Sequence, residues 1–130
     1  MAPELTVVVP AHNAAATIRE QLSALARQQW YGEWEVVVVE NGSSDQTADE
    51  VESSRAALGD RLRMVQSDRS GASFARNLGV AEARADHIAF VDADDVVAEG
   101  WLSAMGGVLR DHEFATGPLE LDRLNPEWLA

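Results

Sequence analysis

Hydrophobic and polar residues fall in blocks along this chain, and the period of the pattern changes from block to block. Leu5–Pro10, LTVVVP, is a β-branched run closed by proline and predicts a first strand. Over residues 14–29 the spacing turns helical, with Ile18, Leu22 and Leu25 at i, i+4 and i+7 on one apolar face. Trp34–Glu40, WEVVVVE, is the clearest strand, and its run of valines calls for burial on both faces, as in a parallel sheet covered by helices. The turn NGSSD follows. Ser43 or Ser44 is placed to cap a helix over 45–58 that turns Ala48, Val51 and Leu58 inward. Arg61–Gln66 predicts a shorter strand near a sheet edge, and residues 72–84 an alanine-rich helix after the break at Ser70-Gly71. Ile88–Asp92, IAFVD, predicts a fourth strand, Ala93–Val97 a loop, and Glu99–Arg110 a helix with Leu102, Met105 and Leu109 inward. From Glu113 onward the periodicity fades through Gly117-Pro118 and Asn125-Pro126.

Successive strand–helix units predict an α/β fold in three layers. The sheet is mainly parallel, with right-handed crossovers and helices on both faces. In such sheets ligands gather at the carboxyl ends of the strands, where the strand order reverses. Those ends are Pro10–Asn13, Glu40–Ser44, Ser67–Gly71 and Asp92–Asp95.

Composition narrows the chemistry. The chain has 130 residues, within the ~100–150 of a common single domain. It has no cysteine, which excludes a disulfide scaffold and a cysteine zinc site. All ten basic residues are arginine, so no mechanism that needs a lysine is open to it. A net charge of −12 argues against nucleic acid and against an anionic membrane surface as partners. No apolar run approaches the ~18 residues of a membrane span, and Met1-Ala2-Pro3-Glu4 lacks the pattern of a secretory signal. A soluble cytoplasmic protein is the expectation.

Asp92-Ala93-Asp94-Asp95 is the sharpest chemical feature. In an extended segment side chains i and i+2 share a face, so Asp92 and Asp94 converge and Asp95 points elsewhere. Two close carboxylates repel unless a cation or proton lies between them, and Mg²⁺ or Mn²⁺ with phosphate oxygens fits that need. The bland alternative is an acidic loop in which Asp95 helps start the next helix. Glu40 closes the second strand and can accept from a base N–H or a ribose hydroxyl, or simply sit exposed in the turn. Gly42 supplies a positive-φ position. Arg76 can reach a diphosphate, a base or an acidic strand end, or pair with Glu82 or Asp68. Asn13 can cap the first helix, and His12 can touch a ligand. No histidine is placed to activate Ser43 or Ser44, so a hydrolase triad is set aside.

VVVPAHN at 7–13, EVVVVENGSSDQT at 35–47, GASFARNLG at 71–79 and FVDADD at 90–95 stand in an order and spacing that resembles glycosyltransferase family 2. The resemblance runs from residue 5 to about residue 110 and implies the nucleotide-binding half of the GT-A fold, Rossmann-like in layout. It implies that Pro10, Ala11 and His12 line the base, with Asn13 beside them, and that Glu40 meets the base or ribose next to Gly42. It implies that Arg76 approaches the base or diphosphate, that Asp92 lies near ribose and metal, and that Asp94 coordinates Mn²⁺ or Mg²⁺. The family transfers a sugar from a nucleotide diphosphate donor to an acceptor hydroxyl on a sugar, lipid or polysaccharide, generally with inversion. UDP- and GDP-linked donors both remain open.

Departures from the family pattern are Glu40 for the usual Asp, His12 for an aromatic, and the length. The resemblance places a catalytic base in a later, acceptor-side region. The expected division is therefore a donor-binding core over 1–112 and the start of an acceptor region over 113–130, cut short. No catalytic residue is assigned, and binding without transfer is expected of these residues alone. A non-enzymatic nucleotide-binding or interaction module is the alternative, with a homodimer through an uncovered sheet face as its expected partner. A phosphorelay receiver matches in length and acidity but needs a lysine that is absent.

Overall fold

The computed structural model describes residues 3–30, 32–68 and 71–111, with the side chains of 109–111 not described. Four strands, β1 (Leu5–Ala11), β2 (Trp34–Glu40), β3 (Leu62–Gln66) and β4 (His87–Phe90), form one all-parallel sheet in the order β3-β2-β1-β4. The helices are α1 (Ile18–Ala26), α2 (Thr47–Ser53), α3 (Arg55–Leu58), α4 (Ala72–Glu82) and α5 (Trp101–Asp111), with a 3₁₀ turn at Gly59–Arg61. The α/β class and the parallel sheet match the sequence expectation, and β3 is at an edge as predicted.

β2 is buried at every position, which is why its valines run unbroken. Val36 and Val38 join a large core with Ile18, Leu22, Leu25, Trp101 and Leu102. Val37 and Val39 face a smaller one with Val8 and Ala75 under α4. α4 lies close to the sheet because residue 79 is glycine. A Cβ there would run into the Val8 side chain and sit 3.4 Å from Val39 Cγ2.

Several boundaries differ from the sequence reading. α1 begins at Ile18, since residues 14–17 form the turn that leads into it, with Ile18 N–H on Ala14 O (2.8 Å). It ends at Ala26, three residues before position 29, where Gln28 turns its amide back to the helix end. The single helix expected over 45–58 is divided at Ser54, whose N–H bonds Val51 O and whose hydroxyl bonds Glu50 O (3.3 Å), pulling backbone groups off the regular ladder. Neither Ser43 nor Ser44 caps α2: its N-cap position is Gln46, and Asp45 just before it accepts from Thr47 N–H (2.9 Å) and from the Thr47 hydroxyl. β4 runs His87–Phe90 and stops short of Asp92, and α5 starts at Trp101 because Gly100 takes φ +83°. The expected division at 113 falls outside the described residues.

The strand order places the sheet's reversal between β1 and β4. Ala11 C=O faces β2, accepting from Asn41 N–H, while Val8 C=O faces β4, accepting from Val91 N–H (3.1 Å). By alternation Pro10 faces β4 beyond that last rung, so its missing N–H costs no ladder bond. The tips of β1 and β4 thus separate and leave a gap.

Candidate functional site

A cleft of about 620 Å³ opens at this gap. Pro10, Ala11, His12 and Asn13 line it from the end of β1, Arg76 from α4, and Asp92 and Asp94 from beyond β4. Seven of the expected site residues are therefore brought together. Glu40 and Gly42 are not among the lining residues. Glu40 is buried and its Oε1 accepts from Ser43 N–H (3.0 Å). Gly42 holds the expected left-handed φ of +64°, and together they shape the turn after β2.

Asn41, between them, does line the cleft and was not singled out from sequence. It is 5% exposed. Its Nδ2 donates to Gly71 O (3.2 Å), and its Oδ1 is buried with no hydrogen-bond partner. Its place directly after a strand end was the signal available.

The loop after β1 is bonded closely to the loop after β2. His12 Nδ1–H donates to Asn41 O (2.6 Å), which fixes the tautomer and leaves Nε2 as an acceptor near Asn13 Nδ2 (3.4 Å). Asn13, at φ +49°, accepts from Ser44 N–H (2.8 Å) on Oδ1, and its own N–H donates to Ser43 Oγ (2.8 Å). Ala14 N–H donates to Thr47 Oγ1 (2.8 Å), and Ala15 N–H to Asp45 Oδ2 (3.2 Å). The Thr47 hydroxyl, with the Ala15 and Thr47 N–H groups, holds the exposed Asp45 carboxyl below its ordinary range. Asn13 thus ties two loops together and does not cap α1, whose N-cap is Thr17.

Asp92, Asp94 and Asp95 are exposed and carry carboxylate oxygens that all lie within 4.8 Å of one another. The inclusion of Asp95 corrects the expectation that it points away. That expectation took the segment as extended, but β4 has ended by then, and Asp95 N–H bonds back to Asp92 O (3.3 Å) across a turn. Three clustered carboxylates offer only hard oxygen donors, a set suited to Mg²⁺ or Mn²⁺ rather than to a soft metal. Arg76 is exposed at the cleft and makes no ion pair among the described residues; Glu82, one of its expected partners, faces Arg63 instead (3.6 Å). Among the described residues the cleft therefore has an acidic rim, one arginine, and a buried unpaired acceptor, all at the switch point of a parallel sheet.

No helix among the described residues is long and apolar enough to cross a membrane. Residues 6–120 match the family described as Glycosyl transferase family 2. The poly(ribitol-phosphate) β-N-acetylglucosaminyltransferase TarS of Staphylococcus aureus is 32% identical over 110 residues, which are 84% of this chain and 19% of that protein. The crystal structure of S. aureus TarS 1–349 in complex with UDP superposes with a TM-score of 0.76 at 33% identity, covering 85% of this chain and 33% of that one. The mannosyltransferase PcManGT from Pyrobaculum calidifontis, in complex with GDP-Man and Mn²⁺, gives a TM-score of 0.73 at 30% identity, over 82% and 32% of the two chains. This chain spans a minor part of the length of each.

Proposed function

This chain belongs to glycosyl transferase family 2, and we propose from that premise that its cleft holds the nucleotide diphosphate of a sugar donor together with a divalent cation. The observation that carries the reading is the Asp92–Asp94–Asp95 cluster at the reversal of the sheet, in which Asp92 and Asp94 share a cleft with Arg76. Asp92 and Asp94 would hold Mn²⁺ or Mg²⁺, with Asp95 close enough to join them. When bound, the cation offsets negative charge on the leaving diphosphate, as a Lewis acid does. The relatives with UDP and with GDP-Man and Mn²⁺ support this reading.

The chain's own residues divide the remaining work. Arg76 supplies positive charge for a phosphate oxygen. Pro10, Ala11, His12 and Asn13 form one wall of the base site. Asn41 Oδ1 suits a ring N–H, which uracil and guanine have and cytosine and adenine lack. Glu40 and Gly42 set the turn that presents Asn41. A −12 chain repels free phosphate, so the diphosphate needs the cation. Transfer to an acceptor hydroxyl, with inversion, is proposed for the whole enzyme, of which residues 1–112 form the donor-binding core.

Isothermal titration with UDP, GDP and TDP, with Mn²⁺ and with EDTA, tests this. Binding of at least one nucleotide should strengthen ten-fold or more with Mn²⁺, on the scale of ~1.4 kcal/mol per decade. Folded protein that shows no heat with any of them would overturn the reading. So would an Asp94→Ala variant that keeps the full metal dependence.

A further inference from the structure

The acidic cluster stands on a segment with no regular structure: residues 91–100 belong to no strand or helix. A polar backbone packed against a core must have its N–H and C=O groups paired. Here one side chain does this at both ends of the acidic stretch. Gln21, on α1 and 0% exposed, donates from Nε2 to Asp92 O (2.9 Å) and accepts at Oε1 from Val97 N–H (3.0 Å). Ala93 and Val97, on the same segment, are buried in the main core, while Asp92, Asp94 and Asp95 are turned out. The amide therefore spans the turn from its first residue to its last core anchor.

We propose that Gln21 is a positioning residue for the metal site, holding the 92–97 backbone so that the three carboxylates stay gathered before a cation arrives. Like charges as close as those of Asp92 and Asp94 would otherwise push the loop apart. A fully buried amide bonded at both ends cannot follow such a motion without losing both bonds, and the cost of gathering the acids is met by the fold instead of by the ligand. Groups that orient ligating carboxylates commonly change metal affinity 10–100-fold when removed. Gln28, two residues past the end of α1, supplies a comparison. It donates to Ala98 O (3.0 Å) and accepts from Leu102 N–H (3.0 Å), clear of the acids.

This inference rests on the metal-bound donor reading, and the test separates the two. Nucleotide affinity is measured on the full chain with Mn²⁺ and with EDTA, for the wild type, Gln21→Met and Gln28→Met. Gln21→Met should lose about ten-fold or more of the gain that Mn²⁺ gives, while its affinity in EDTA stays within about two-fold of wild type. Gln28→Met should lower thermal stability but keep the Mn²⁺ gain. A Gln21→Met protein with the wild-type gain overturns the inference. So does one that weakens equally with and without metal, which would mark Gln21 as purely structural. If Gln21→Met does not fold, the Val97 amide in the wild type decides by hydrogen exchange. Slower exchange on addition of Mn²⁺ and UDP supports the inference, and unchanged exchange overturns it. A wild type with no Mn²⁺ gain at all overturns the donor-site reading itself.

Discussion

Removing the Asn41 side chain should weaken nucleotide binding while leaving the fold nearly as stable as before. In the free protein Asn41 Oδ1 is buried without a partner, a state that costs ~1–3 kcal/mol. A ligand N–H that reaches it recovers that free energy on binding. Asn41→Ala should therefore lose ~1–3 kcal/mol of affinity, about 5- to 150-fold in Kd. On the folding side two effects oppose. The variant loses the Nδ2 bond to Gly71 O, about 1 kcal/mol, but also removes the unpaired oxygen. The net change in Tm should be a few degrees at most. Calorimetric titration with UDP, GDP and CDP in Mn²⁺, alongside thermal denaturation, reads both quantities. UDP and GDP, whose bases carry a ring N–H, should weaken as stated. CDP should weaken much less. Equal weakening for all three, or unchanged UDP and GDP affinity, would refute the assignment of a ring N–H to this oxygen.

Other outcomes follow from the packing and the charges. Glu35, 5% exposed, accepts from Thr6 Oγ1 (2.7 Å), Arg84 N–H (2.8 Å) and Arg63 Nε (3.2 Å). Burial pushes its carboxyl up, but the Arg84, Thr6 and Arg63 bonds together outweigh burial and hold it below its ordinary value of 4.5. Its contribution is thus present above that value and lost as pH falls through the lower folded one. Glu35→Gln should cost about 2 kcal/mol at pH 7 in a chemical denaturation, and the wild-type advantage should shrink below pH 4.5. A wild-type advantage that stays constant into acid would contradict this. Gly79→Ala should destabilise by ~1–3 kcal/mol, because Val8 and Val39 are fully buried and cannot yield. It should also weaken UDP a few-fold through Arg76, one turn away on α4. A Tm equal to wild type would show that α4 is not held so close.

The central strands β1 and β2 were legible because burial on both faces leaves a direct trace. The valines of β2 gave its bounds to the residue, and the polar groups that interrupt each apolar run marked the strand ends that line the cleft. What was not legible depended on contacts between distant segments. Asp95 was misplaced because i, i+2 alternation holds only while a strand lasts, and β4 stops at Phe90. Ser43 and Ser44 look like helix caps in isolation, but Asn13 reaches them from another loop. Gln21 left one clue: it sits among Ile18, Leu22 and Leu25 on the inward face of α1, where a polar residue needs a partner. Its partners lie 71 and 76 residues away, and no local pattern names them.

Co-crystals with UDP and Mn²⁺, studied by anomalous scattering at the manganese edge, would locate the cation and the diphosphate together. One manganese peak is expected among the carboxylates of Asp92, Asp94 and Asp95, with the diphosphate between it and Arg76. Nucleotide density outside the cleft, or a peak remote from those three carboxylates, would contradict it.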